Sequence, residues 1–123
     1  MKRSNAREIA FKTIYSKFFT TEDNLASDEE NDLNEEFISK ILDVYKNNKD
    51  EINDLISSKL KGYTLNRLFK IDLAILTLAV IELNYIKENP KQVIINEAVE
   101  LAKKYSTEKS HKFINGVLAD IVK

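Results

Sequence analysis

Lys109, Lys112, Phe113 and Gly116 recur at i, i+3, i+4 and i+7 within EKSHKFINGVL, a spacing that places them on one face of a helix. Ile114, Val117, Leu118 and Ile121 cluster within about 100° on the other side of the wheel and must face a core. Two ammonium groups beside a ring suit a single-stranded nucleic acid. Lysines neutralise phosphates, the ring offers a base a stacking surface worth roughly 1–3 kcal/mol, and the glycine permits close approach. The same spacing also fits a solvated face with an aromatic at its margin, and the wheel does not choose between the two. Asp120, one turn further on, would limit how far a strand could extend along the face.

A second cationic group stands at the N-terminus. Lys2 and Arg3 have no packing role that the pattern assigns. Arg7 differs, because it shares its side of the wheel with Phe11, Ile14 and Phe18. It reads as an arginine that snorkels or pairs with an acid. Glu82, stranded among Ile71, Ile75 and Leu78, is the expected partner, in a pair that would join the two halves of the chain.

Catalytic chemistry has little to work with. His111 is the only histidine, cysteine is absent, and neither a glycine-rich phosphate loop nor an isolated carboxylate pair occurs. His111 falls on the inward flank of the last helix and reads as a structural, hydrogen-bonded histidine. A metal would need partners that the sequence lacks. The expectation is a protein that is not an enzyme and uses no cofactor or metal.

The 123 residues amount to one domain, and a high charged fraction predicts a soluble, cytoplasmic chain. Lys2 and Arg3 lead into SNARE rather than an apolar run, unlike a signal peptide. The most apolar segment, Leu73 to Ile81, is far shorter than the ~20 residues of a membrane helix. The net charge of -1 hides an asymmetry: residues 1–20 carry five bases against Glu8, a net of +4, whereas residues 21–36 carry eight acids and no base.

The elements that must position these groups are all helical. Glycine and proline are scarce, and apolar residues recur every 3.6 positions. The first helix runs from about Asn5 to Phe19, with Asn5 and Glu8 spaced as a capping box. The acidic stretch Thr20–Asp32 has no period and reads as a mobile loop. Phe37, Ile38, Ile41, Leu42 and Tyr45 mark a second helix. After Asn47-Asn48, Ile52, Leu55, Ile56 and Leu60 mark a third, ended near Gly62. A short turn around Leu65–Phe69 follows. The fourth helix, about Ile71–Ile86, is apolar nearly all round and should be central. Its Leu73 and Val80 form a strip that packs against the second and third helices or meets a partner, the first being preferred. The fifth, about Lys91–Tyr105, carries a Glu100–Lys104 i,i+4 pair and an Asn96 expected to bond locally. The sixth is about Glu108–Val122. The architecture is all-α, two packed three-helix subdomains of about 1–62 and 63–123.

NAREIAFKTIY (5–15), GYTLNRLFKIDLAILTLAVIEL (62–83), VIINEAVELAKKY (93–105) and EKSHKFINGVL (108–118) resemble the NusB family of bacterial transcription antitermination factors. The likeness covers nearly the whole chain and is most specific in the last two segments. It implies binding of the single-stranded boxA element of nascent RNA together with NusE, a ribosomal small-subunit protein, within the antitermination complex on RNA polymerase. It also implies RNA contacts from Lys2, Arg3, Arg7, Lys109, Ser110, Lys112, Phe113 and Asn115. The NusE surface would include Asp72 and its neighbours on the fourth helix, and a homodimer is a further state open to family members. Three departures stand out. The N-terminal arm is short, and Leu73 and Thr77 replace frequent arginines, which would weaken the positive field. Lys109 stands where an acid is common and would restore it. Two other readings remain: the RNA-binding module of an rRNA cytosine methyltransferase, whose catalytic fold and cysteine these residues do not contain, and a helical protein-interaction adaptor.

Overall fold

The computed structural model describes residues 2–19, 33–62 and 64–123; the acidic stretch expected as a loop and Tyr63 lie outside them. The elements are α1 (Arg3–Lys17), α2 (Leu33–Ser58), a 3-10 turn (Leu65–Arg67), α3 (Lys70–Ile81), a π-helical turn (Glu82–Ile86), α4 (Lys91–Tyr105) and α5 (Glu108–Ile121). No strand occurs among the described residues.

α2 contains both the second and the third expected helix. Asn48 leaves helical geometry at φ -131°, ψ 22°, and its carboxamide donates to the Val44 carbonyl at 3.1 Å. A short amide side chain competing for nearby backbone is the physical reason that the break falls there. At the end of α2, Lys59 and Leu60 donate to the Ile56 and Ser57 carbonyls. Gly62, at φ +86°, then takes the left-handed turn that a side chain would resist.

α1 begins two residues before the expected start. The Lys2 carbonyl accepts from the Asn5 and Ala6 amides at 3.0 and 3.1 Å, so Asn5 lies inside the helix and the Asn5–Glu8 capping box does not form. Lys2 caps α1 without a side-chain bond.

α3 is apolar all round because it packs against α1, α2, α4 and α5. Ala74, Ile75, Leu76, Val80 and Ile81 are all fully buried. Val80 therefore packs inside, and Leu73 is half-buried against the same core. Thr77 is buried as well. A cation in its place would face the core, so its loss does not weaken a solvent-facing field as the sequence suggested. The helix extends as expected but changes type after Ile81. The Lys87 amide donates to the Glu82 carbonyl at 2.9 Å, a wider turn closed by Lys87 in the left-handed region at φ +57°.

The core is one continuous cluster, running from Ala10 and Ile14 through Phe37, Ile41 and Ile56 to Ile94, Ile114 and Leu118. Arg3 meets Glu88 just before α4, Arg7 meets Glu97 within it, and Glu8 meets Lys104 near its end. α1 and α4 thus run in the same direction.

Candidate nucleic-acid interface

The start of α5 is held by a network of hydroxyls around one carboxylate. Thr107 caps the helix, its Oγ1 accepting from the Ser110 amide at 3.2 Å. Ser106 Oγ donates to Asp72 Oδ1 at 2.6 Å, and Ser110 Oγ donates to Asp72 Oδ2 at 2.9 Å. Asp72 is in the first turn of α3, where the helix's positive end favours a carboxylate. Asp72 and Ser110 are each only 4% exposed. The polar joint between α4 and α5 is therefore fixed by α3.

This anchoring turns the outer face of α5 to solvent. Lys109, Lys112, Asn115 and Gly116 are exposed and Phe113 is half-buried, while Ile114, Val117 and Leu118 are in the core. Beside the face lies an open groove of about 570 Å³, lined by Arg67, Leu68 and Phe69 on one wall and Lys109 and Phe113 on the other, with Asp72 also contributing. Phe69 is 60% exposed. Neither Arg67 nor Phe69 emerged from the sequence. Their one signal was a bulky aromatic placed in a turn with no helical period to bury it.

The expected site residues divide into three groups. Lys109, Lys112 and Phe113 share the α5 start, as the spacing required, and Asn115, which only the family resemblance supplied, is exposed on the same helix. Lys2 and Arg3 form a separate edge at the start of α1. Lys2 is exposed, and Arg3 lies 4.0 Å from the centre of the Phe37 ring with its Nη1 3.3 Å from Glu88 Oε1. The third group is buried. Arg7 is 3% exposed; its Nε and Nη2 donate to the two Glu82 oxygens at 2.7 and 3.0 Å, and Glu97 lies 3.5 Å from Nη1. The pair with Glu82 is the one the sequence suggested. It leaves the guanidinium no open face, so direct RNA contact from Arg7 does not fit this arrangement. Ser110 likewise spends its hydroxyl on Asp72, and Asp72 is a buried anchor rather than an open surface charge.

Between the two cationic regions, Glu8 receives Lys104 Nζ at 2.7 Å and also the Tyr105 hydroxyl. These bonds, that from Lys104 first, hold the Glu8 carboxyl below its ordinary value, and Glu8 in turn raises Lys104. Lys12 Nζ lies 5.5 Å from the centre of the Tyr105 ring. The expected Glu100–Lys104 pair is absent because Lys104 turns to Glu8, and Glu100 pairs with Lys103 at 3.5 Å instead. Asn96 does bond locally, accepting from Gln92 at 2.9 Å. His111 is half-buried, and no hydrogen bond among the described residues involves its ring, contrary to expectation. No cluster suited to a metal ion occurs among the described residues, and no described helix is long and apolar enough to cross a membrane.

A family model described as the NusB family matches residues 4–123. The transcription antitermination protein NusB of Acetivibrio thermocellus is 46% identical over 130 residues, covering 100% of this chain and 90% of its own. Among solved structures, T. maritima NusB superposes with a TM-score of 0.90 at 37% identity, over 98% of this chain and 90% of its own. A complex described as antitermination factors NusB and NusE with double-stranded RNA gives 0.84 at 29% identity, over 97% and 94%.

Proposed function

Since the chain belongs to the NusB family, we propose that it is an RNA-binding transcription antitermination factor, acting in the cytoplasm with boxA RNA and NusE and joining the antitermination complex on RNA polymerase. It is not an enzyme. The observation that carries this reading is the α5 start: Lys109 and Lys112 stand in solvent on either side of the turn that leads to Phe113, on a helix anchored through Asp72. Lys2 and Arg3 supply a second set of cations. Asn115, exposed on α5, can donate or accept a bond from a base. Arg7 and Ser110 serve by positioning.

The groove beside α5 is the surface proposed for NusE. Leu68 and Phe69 offer apolar contact there, with Asp72 beneath them. Phe113 lines the same groove, so RNA and protein would meet at one rim and each would strengthen the other. The chain is read as one functional unit, with α1 and α2 before about Gly62 and α3 to α5 after it.

Four cations, the exposed Lys2, Lys109 and Lys112 and the partly buried Arg3, set the expected salt dependence. With four phosphate contacts to a single strand, log affinity falls with log salt at a slope near -3, or roughly fifty-fold between 50 and 200 mM. The test is a titration of boxA and a scrambled RNA at both salt concentrations, with and without NusE. Tighter binding of boxA, enhanced by NusE, is expected. Association indifferent to salt and to sequence would refute the reading, and binding of NusE with no RNA-dependent gain would favour a protein-interaction adaptor.

A further inference from the structure

We propose that Lys40 is a further phosphate contact, and that Glu88 is a resident carboxylate which RNA displaces from between Lys40 and Arg3. Glu88 Oε1 is 3.3 Å from Arg3 Nη1, and its Oε2 is 2.9 Å from Lys40 Nζ. The three side chains come from α1, α2 and the turn before α4, so distant segments converge on one fork. Arg3 is steadied by the buried Phe37 ring beneath it. A carboxylate held between two cations occupies the geometry that a phosphate's oxygens would take.

The cluster contrasts with the Arg7–Glu82 pair. There, two bonds are made out of contact with water, and no external anion can compete. Around Glu88 all three groups remain about a third to a half exposed, and each cation makes a single bond to the carboxylate. Exposed pairs of this kind add little to stability, so an incoming phosphate can replace the carboxylate with little loss of structure. The Lys40 bond is the main reason that the Glu88 carboxyl lies below its ordinary value. Glu36, one turn earlier on α2, is the other acid that acts on Lys40, and Arg3 is the opposing like charge. Lys2 extends the same edge. The fork therefore carries one more cation than the N-terminal arm alone, masked in the free protein.

This inference rests on the reading that Lys2 and Arg3 meet RNA. The experiment is an anisotropy titration of labelled single-stranded boxA RNA against the full chain at 50 and 200 mM salt. It compares Glu88→Gln, Lys40→Gln, Lys2→Gln, Arg3→Gln and the surface control Lys123→Gln. Glu88→Gln should bind several-fold more tightly than the parent. Lys40→Gln should bind more weakly, with a log–log slope shallower by about 0.7, and Lys123→Gln should not change. A merely structural ion pair would move the first two variants in the same direction, so opposite signs are the readout. If Lys2→Gln and Arg3→Gln weaken binding while Lys40→Gln and Glu88→Gln match the parent, the fork is wrong and the N-terminal edge stands. If none of the four responds, both fall.

Discussion

Replacing Arg7 by Met should destabilise the protein by about 3–5 kcal/mol, the usual cost of stranding one member of a buried ion pair. Glu82 is only 2% exposed, and Arg7 provides both of its short bonds. For 123 residues, an unfolding entropy of about 2.1 cal/mol/K per residue converts this to a melting temperature lower by roughly 12–20 °C. Glu82→Leu should cost less, because Arg7 keeps Glu97 at 3.5 Å, on a side chain that reaches solvent. The double variant should return to within about 1 kcal/mol of the parent, since an apolar pair of similar volume removes both buried charges together. Circular-dichroism melts and urea titrations of the four proteins measure this cycle. Single variants each costing under about 1 kcal/mol, or a double variant no better than the sum of the singles, would refute the reasoning. The double variant also tests the assignment of Arg7 to the scaffold. Folded and lacking the guanidinium, it should retain the parent's RNA affinity.

Three further outcomes follow from the site. Asp72→Ala should cost about 2 kcal/mol in urea unfolding, because two hydroxyls lose a charged acceptor, and should weaken RNA binding although Lys109 and Lys112 remain. Lys109→Asp should weaken boxA binding more than Lys123→Asp does, and equal affinities in a fixed-salt titration would count against the α5 face. Glu8 has a carboxyl lowered in the folded state by Lys104 and Tyr105. Its contribution is therefore complete above the ordinary carboxylate value and is lost as pH falls through the lowered one. Melts across the acidic range should show a shallower loss of stability for Glu8→Gln than for the parent.

Helix positions were legible because the chain punctuates them. Pro90 precedes α4, Ser106-Thr107 separates α4 from α5, and an asparagine pair divides α2 where Asn48 breaks the helix. The wheel also placed Ile114, Val117 and Leu118 inward and Lys109 and Lys112 outward, and it paired Arg7 with Glu82. Competition between partners was not legible. Glu8 looked like a capping residue, but the Asn5 amide is already taken by the Lys2 carbonyl, and Glu8 bonds to Tyr105 and Lys104, far along the chain. Lys104 was correspondingly lost to Glu100. Ser110 and Asp72 illustrate the same limit: residue type marks both as polar, but only the fold shows that they bond to each other instead of facing solvent. Arg67 and Phe69 sit in a turn without a period, so no wheel could assign them a direction.

The shared direction of α1 and α4 has an electrostatic consequence. Each helix carries roughly half a positive charge at its N-terminus from aligned peptide dipoles, and both begin near the edge where Arg3 meets Glu88. The negative poles lie at the other ends, where Lys17, Lys103 and Lys104 occupy the last turns. On the proposed reading of this edge as an RNA contact, part of the attraction is thus built into the main chain and cannot be removed by side-chain substitution. Neutralising Lys2 and Arg3 should leave a residual, backbone-derived pull at that edge, with the peptide frame itself acting as a weak fixed cation.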